Sequence, residues 1–285
     1  MTELDKLQKK AYNERLNYRI EYTAEGHDCV AVYFTSNALF SPHSADAFRF
    51  LVMERDRYEW RRNMVSRAQK HIFLRDIYKQ WYASGINAEI NSVDRLTEWL
   101  REQTNGYKSL IFSGSSGGGY AAALFGARLH ADLVLDFNGQ WDICDSIERD
   151  GKIISPILKR MQVEGHKGIR YFSLVKDEFD YSRTVYFVSI KSPGDAKQLG
   201  FVNGFKRIHV IRFWNSHHGI PFLKNALPKV MNMSLDELVA FESNVQNPVL
   251  FSIRLAGLRT SLRVGWKIVG QKFSRKFLRC SNMTP

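Results

Sequence analysis

The sequence has no run of about 18 uncharged apolar residues, the minimum for a membrane-spanning helix, so none is expected. The opening stretch MTELDKLQKKAYNERLNYR is charged throughout and lacks the apolar core of a secretory signal. Cysteine is scarce: Cys29, Cys144 and Cys280 lie far apart, with no CxxC spacing. So sparse and odd a set argues against a disulfide framework and against a zinc site, and favours a reducing cytoplasm. No metal or resident cofactor is expected. No internal repeat and no low-complexity linker interrupts the chain.

Acidic residues also run out. After Glu242 there is none, while Arg254, Arg259, Arg263, Lys267, Lys272, Arg275, Lys276 and Arg279 follow. The formal net charge of +12 over 285 residues therefore belongs mainly to the C-terminal segment. Hydrophobic content of 44% and charged content of 25% are those of a globular chain long enough to bury a large core.

The body alternates between strand-like and helix-like patterns. DCVAVYF, KHIFLRD, SLIFSG, ADLVLDF, TVYFVSI and RIHVIRF are short and rich in β-branched and aromatic residues. Several are nearly continuous apolar runs, as expected of parallel strands covered on both faces. Helices are predicted over 91–103, with Asn91 or Ser92 as N-cap and Gly106 beyond the end, over 117–129, and over 222–231. The alternation predicts a three-layer α/β/α sandwich around a mostly parallel sheet. That domain spans 1–243, with 140–183 either an insertion over the site or ordinary crossover helices.

Within FSGSSGGGYAA, two serines stand among four glycines. A phosphate-binding loop requires a lysine directly after its glycines, and here Tyr120 follows instead. A dinucleotide turn matches Gly117-Gly118-Gly119-Tyr120-Ala121-Ala122, with Asp136 placed where a ribose-binding acid would be sought. That fingerprint should begin at the strand end, however, and Gly114-Ser115-Ser116 intervenes. The third reading is G-x-S-x-G over Gly114-Ser115-Ser116-Gly117-Gly118: a nucleophile on a sharp strand-to-helix turn needs small neighbours two residues away on each side. A purely structural glycine turn is the competing explanation.

Partners for a serine nucleophile occur downstream. TVYFVSI is followed by KSPGD, carrying Asp195, and RIHVIRF by WNSHHG, carrying His217 and His218. Serine, acid and histidine follow successive strands at one sheet edge, in the order an acyl-transfer triad on this architecture uses. His218 is the expected base and His217 its alternative. Asp177, Glu178 and Asp180 are substitutes for Asp195 that precede the strand rather than follow it. The expected oxyanion donors are the N–H groups of Gly117 and, from the loop after DCVAVYF, Ser36. Asp76 is expected to cap or pair rather than to touch substrate.

On Gly114-Ser115-Ser116-Gly117-Gly118, Asp195 and His218, the chain resembles the α/β-hydrolase fold family over roughly residues 20–235. FSGSSGGGYAA and HHG are similar to atypical members found with bacterial surface-polysaccharide genes, some of them capsule O-acetyltransferases. The resemblance implies an esterase or O-acyltransferase acting on a carbohydrate or small acyl ester; acetyl-CoA as the donor for transfer suits the basic balance of the chain. A catalytically inactive scaffold recruited to a polysaccharide-assembly complex is the reading from another class. No lipase-type HGGG motif is present, which argues against lipid esters.

Residues 244–285 form a separate extension. Phe251, Leu255, Leu258, Leu262, Trp266, Val269, Phe273 and Phe277 recur at steps of three and four, one face of a long cationic helix. Such a helix could lie on an anionic membrane surface or an assembly partner through 251–279, or pack on the body. Nucleic acid is not expected, since no recognised module accompanies the charge.

Overall fold

The computed structural model describes residues 1–24, 26–144, 147–149, 152–153, 155–174, 182–202 and 204–264. The chain opens with helix α1 (Glu3–Glu14), capped by a reciprocal Thr2–Asp5 box, and continues into β1 (Tyr18–Tyr22). Then come β2 (Cys29–Phe34), a short α2 (Ala45–Phe48) running into a π-helical turn over Arg49–Glu54, and β3 (Lys70–Leu74). Next are α3 (Val93–Thr104), β4 (Ser109–Ser115), α4 (Gly117–Leu129) and β5 (Leu133–Phe137). A small hairpin, β6 (Glu148–Arg149) and β7 (Lys152–Ile153), precedes α5 (Pro156–Val163). The chain returns to the sheet through β8 (Thr184–Ser189), α6 (Pro193–Phe201) and β9 (Ile208–Phe213), followed by α7 (Leu227–Val230), α8 (Leu235–Val239) and α9 (Pro248–Ala256).

Seven strands form one sheet in the order β1-β3-β2-β4-β5-β8-β9. Only β1 runs antiparallel, against β3; the other pairings are parallel. All six strands expected from the sequence are present. The continuous apolar runs have the cause anticipated for them, because period-two alternation sends neighbours to opposite cores. Val30, Val32 and Phe34 join one core with Leu96, Leu100 and the alanines of α4. Cys29, Ala31 and Tyr33 join the other with Leu227, Val230 and Phe251. The result is three layers.

Residues 140–174 contribute to the first of these cores: Trp141, Ile143, Leu158 and Phe172 are buried there. Asp177, Glu178 and Asp180 lie outside the described residues. The helix expected over 222–231 is reduced to a 3-10 turn (Lys224–Ala226) and α7, because Pro228 can occupy only the first turn of an α-helix.

The expected long C-terminal helix is divided. α9 ends at Gly257, whose φ of +85° breaks the helical path, and a second helical segment covers 258–264. Phe251 is buried against Phe213, Phe222 and Phe241 at 4.9–5.1 Å between ring centroids, and Leu255 packs beside them. The start of the apolar stripe thus packs on the body, while Leu258 and Leu262 are exposed. The rest of the stripe, from Trp266 to Phe277, lies outside the described residues. Among the described residues, no helix is long and apolar enough to cross a membrane.

Candidate active site

The centre of the sheet delivers the serine. β4 ends at Ser115 and α4 begins at Gly117, so Ser116 must turn the chain alone. It does so with φ 57° and ψ −124°, a conformation that costs a residue bearing Cβ on the order of 1–3 kcal/mol. Its N–H donates to Phe137 O at 3.0 Å and its carbonyl accepts from Tyr120 N–H at 3.0 Å, which pins the turn from both sides. The flanking glycines are required by close approach. A Cβ on Gly114 would stand 1.9 Å from Gly118 O, and one on Gly118 would stand 2.3 Å from Phe34 O.

Asp195 and His218 arrive from the next two strands of the same edge. Asp195 lies in the first turn of α6 rather than in the preceding loop, where the helix dipole favours a negative charge. It is buried, and its Oδ1 is 2.7 Å from His218 Nδ1. The other ring nitrogen, Nε2, is 2.7 Å from Ser116 Oγ. The histidine loop is fixed by its backbone: Ser189 Oγ donates to His217 O at 2.7 Å, and Asn138 Nδ2 donates to Gly219 O at 2.7 Å. Asn138 also accepts the Ser189 N–H at 2.8 Å, so one buried amide joins β8 to both sides of His218. His218 therefore makes both contacts, while the backbone of His217 anchors the loop.

The oxyanion side departs from expectation at Ser36. Its N–H donates to Glu59 Oε2 at 2.9 Å and its hydroxyl to Glu59 Oε1 at 3.1 Å, so that amide is already engaged. Among the described residues the Asn37 N–H has no acceptor, and the Asn37 side chain lies 2.9 Å from where a Cβ on Gly117 would stand. Nothing in TSNALF marks which amide a distant glutamate occupies.

Behind Asp195 lies a second carboxyl group. Asp136 is fully buried in β5, accepts the Gly139 N–H at 2.8 Å and abuts Gly119. Burial, with the Asp195 carboxylate adding to it, pushes Asp136 up to about 8. Burial thus favours the protonated form of this second carboxyl group. So enclosed a group cannot reach a ribose, which disposes of the dinucleotide reading.

Two further residues enter from loops that sequence reasoning did not connect to the site. Gln140 Nε2 is 3.4 Å from His218 Nε2, and Gln140 Oε1 accepts the Trp81 indole N–H at 2.9 Å. Trp81 sits in a loop where Lys79, Trp81 and Tyr82 all have positive φ. Asp76 holds that loop: its carboxylate accepts the N–H groups of Tyr78, Gln80 and Tyr82 at 2.6–3.0 Å. The expected capping role of Asp76 is what is seen, and burial pushes it up to about 6 against those three hydrogen bonds.

A sheet with one antiparallel edge strand, a strained serine between the central strand and its helix, and acid and histidine after later strands defines an α/β-hydrolase fold. No protein-family model matches the sequence, and a search of curated proteins gives no match. Among solved structures, the chain is similar to a Staphylococcus aureus Mu50 protein of unknown function: 12% identity, TM-score 0.46, 79% of this chain and 94% of that one. It is similar to the capsule O-acetyltransferase of Neisseria meningitidis serogroup A at 13% identity, TM-score 0.45, covering 70% and 84%. It is also similar to Est1E from Butyrivibrio proteoclasticus at 10% identity, TM-score 0.45, covering 78% and 94%. At that level of likeness, the fold assignment rests on this chain's own strand order and turn.

Proposed function

We propose that this chain is a serine-dependent acyl-transfer enzyme working through an acyl-enzyme on Ser116. The reading is carried by one observation: a single imidazole within 2.7 Å of both a strained serine hydroxyl and a buried carboxylate. Ser116 Oγ attacks the acyl carbonyl carbon while His218 Nε2 takes its proton. Asp195 stays ionised and holds the Nδ1–H, fixing the tautomer and stabilising the imidazolium. The tetrahedral oxyanion accepts hydrogen bonds from Gly117 N–H and Asn37 N–H. Collapse expels the leaving alcohol or thiol, which receives the proton from His218. Water or an acceptor hydroxyl then attacks the Ser116 ester, giving its proton to His218, and Ser116 regains one on release.

The carbohydrate acceptor rests on the resemblance carried by FSGSSGGGYAA and HHG, and acetyl-CoA as donor on the chain's net positive charge. Fluorophosphonate labelling tests the chemistry. Stoichiometric labelling that disappears in Ser116→Ala supports the reading; no labelling of the folded protein would favour the inactive scaffold. Turnover of p-nitrophenyl acetate or acetyl-CoA, with and without glycan, separates transfer from hydrolysis. Hydrolysis indifferent to every acceptor would rule against transfer.

A further inference from the structure

We infer that an arginine-lined cavity beside the oxyanion loop is a binding site for a phosphate-bearing group. Its use as a substrate handle rests on the acyl-transfer reading above; its anion binding does not. The cavity has a volume of about 710 Å³ and is lined by Arg55, Arg57, Arg61 and Arg62 with Asp56 and Glu59. That size is typical of a small-molecule site.

The charge around it is unbalanced. Asp56 is shared by Arg75 at 2.8 Å, Arg15 at 3.8 Å and Arg19 at 3.9 Å. Glu21 is shared by Arg19 at 2.6 Å and Arg61 at 2.8 Å, and Glu59 pairs with Arg57 at 3.7 Å. Arg55 lies over the Phe50 ring, and among the described residues neither it nor Arg62 has a carboxylate partner. Exposed Glu54, beside Arg55 in sequence, pairs with none of them among the described residues. Within the lining itself four arginines face two carboxylates. An ordinary surface pairs such charge with interspersed acids; here, among the described residues, two guanidinium groups at one cavity have no carboxylate partner.

Guanidinium groups suit phosphate because their planar forks bind two of its oxygens at once and they stay charged at any physiological pH. The position adds the link to chemistry. Glu59, in the cavity wall, takes the Ser36 N–H and hydroxyl, and Arg57 Nη1 donates to Leu39 O at 2.9 Å. Both therefore grip the loop whose Asn37 side chain lies beside Gly117. A phosphate bound among these arginines would touch the two groups that hold that loop.

The test is calorimetric titration of the full-length protein with inorganic pyrophosphate at low salt. Binding is expected to weaken as salt rises and the Debye length shrinks. It should also weaken about tenfold for each of Arg55→Ala and Arg62→Ala, as charge-assisted hydrogen bonds are lost. Both side chains are exposed and, among the described residues, make no ion pair, and melting temperatures check that the variants fold. Coenzyme A binding more tightly than pyrophosphate, with the same dependence on both arginines, would place the phosphate on the acyl donor. Glycerol phosphate competing while coenzyme A does not would place it on the acceptor. No heat with pyrophosphate, unchanged binding in the double variant, or binding of glucuronate in preference to phosphate would each overturn the inference. Fluorophosphonate labelling of the unsubstituted protein, read in parallel, tells an unreactive serine from an empty anion cavity.

Discussion

His218 Nε2 lies 2.7 Å from Ser116 Oγ although 102 residues of chain separate the two. With Asp195 at 2.7 Å on the far side of the ring, this contact fixes an order of importance among the three side chains. Ser116→Ala or His218→Ala should each lower kcat toward p-nitrophenyl acetate by roughly 10⁵–10⁶, and Asp195→Asn by about 10⁴. A His218→Ala protein within tenfold of normal turnover would defeat the assignment.

The Asn37 amide is expected to hold the oxyanion, and proline can remove that N–H without deleting the loop. Asn37→Pro should cost on the order of 10²–10³ in kcat, whereas Asn37→Ala, which keeps the N–H, should cost far less. Melting temperatures for both variants guard against a folding defect. Equal losses in the two would point to the side chain instead.

Asp136 should make stability depend on pH. Its carboxyl group is raised from an ordinary value of 3.8 to about 8. Between those limits the folded state keeps a proton that the unfolded chain has released. Stability from this group is therefore complete below about pH 4 and is lost as pH rises toward 8. Asp136→Asn retains a neutral hydrogen-bonding group and should flatten the fall in melting temperature between pH 5 and 8. Asp76, raised to about 6, acts in the same direction and remains in the variant, so the difference between the two proteins isolates Asp136. Identical pH profiles would mean that Asp136 is already ionised when folded.

Gln140 faces the nitrogen that must activate the second nucleophile, and Trp81 holds its amide in one orientation. Gln140→Ala should leave the fluorophosphonate labelling rate within a few-fold of normal while slowing deacylation about tenfold, the value of one or two oriented hydrogen bonds. Trp81→Phe should reproduce a weaker form of the same defect. Equal slowing of acylation and deacylation would show that Gln140 merely positions His218.

The strands were legible because burial on both faces writes an unbroken apolar run, and the serine turn because crowding there admits only glycine beside it. Gly114 and Gly118 are where a methyl group would strike backbone, so the pattern in the sequence is the imprint of a steric constraint. Asp195 and His218 were legible as positions after successive strands. The engagement of Ser36 by Glu59 and the contacts of Gln140, Trp81 and Asn138 went unseen for one reason: each has a partner 23 to 81 residues away, and such pairings leave no local pattern. The C-terminal stripe shows the opposite failure. Its period is that of one long helix, yet the left-handed conformation of Gly257 divides it, and periodicity does not register a break of that kind.

What the sequence determined by itself was the layer order, the strained serine turn and the sheet edge at which Ser116, Asp195 and His218 meet, since each follows from local sterics and from the alternation of apolar residues. Which histidine meets the serine, which amide is free to hold an oxyanion and which arginines are left without a carboxylate were decided only by the folded chain. Those outcomes depend on how few acceptors a packed interior leaves for each donor, a competition among residues far apart in sequence.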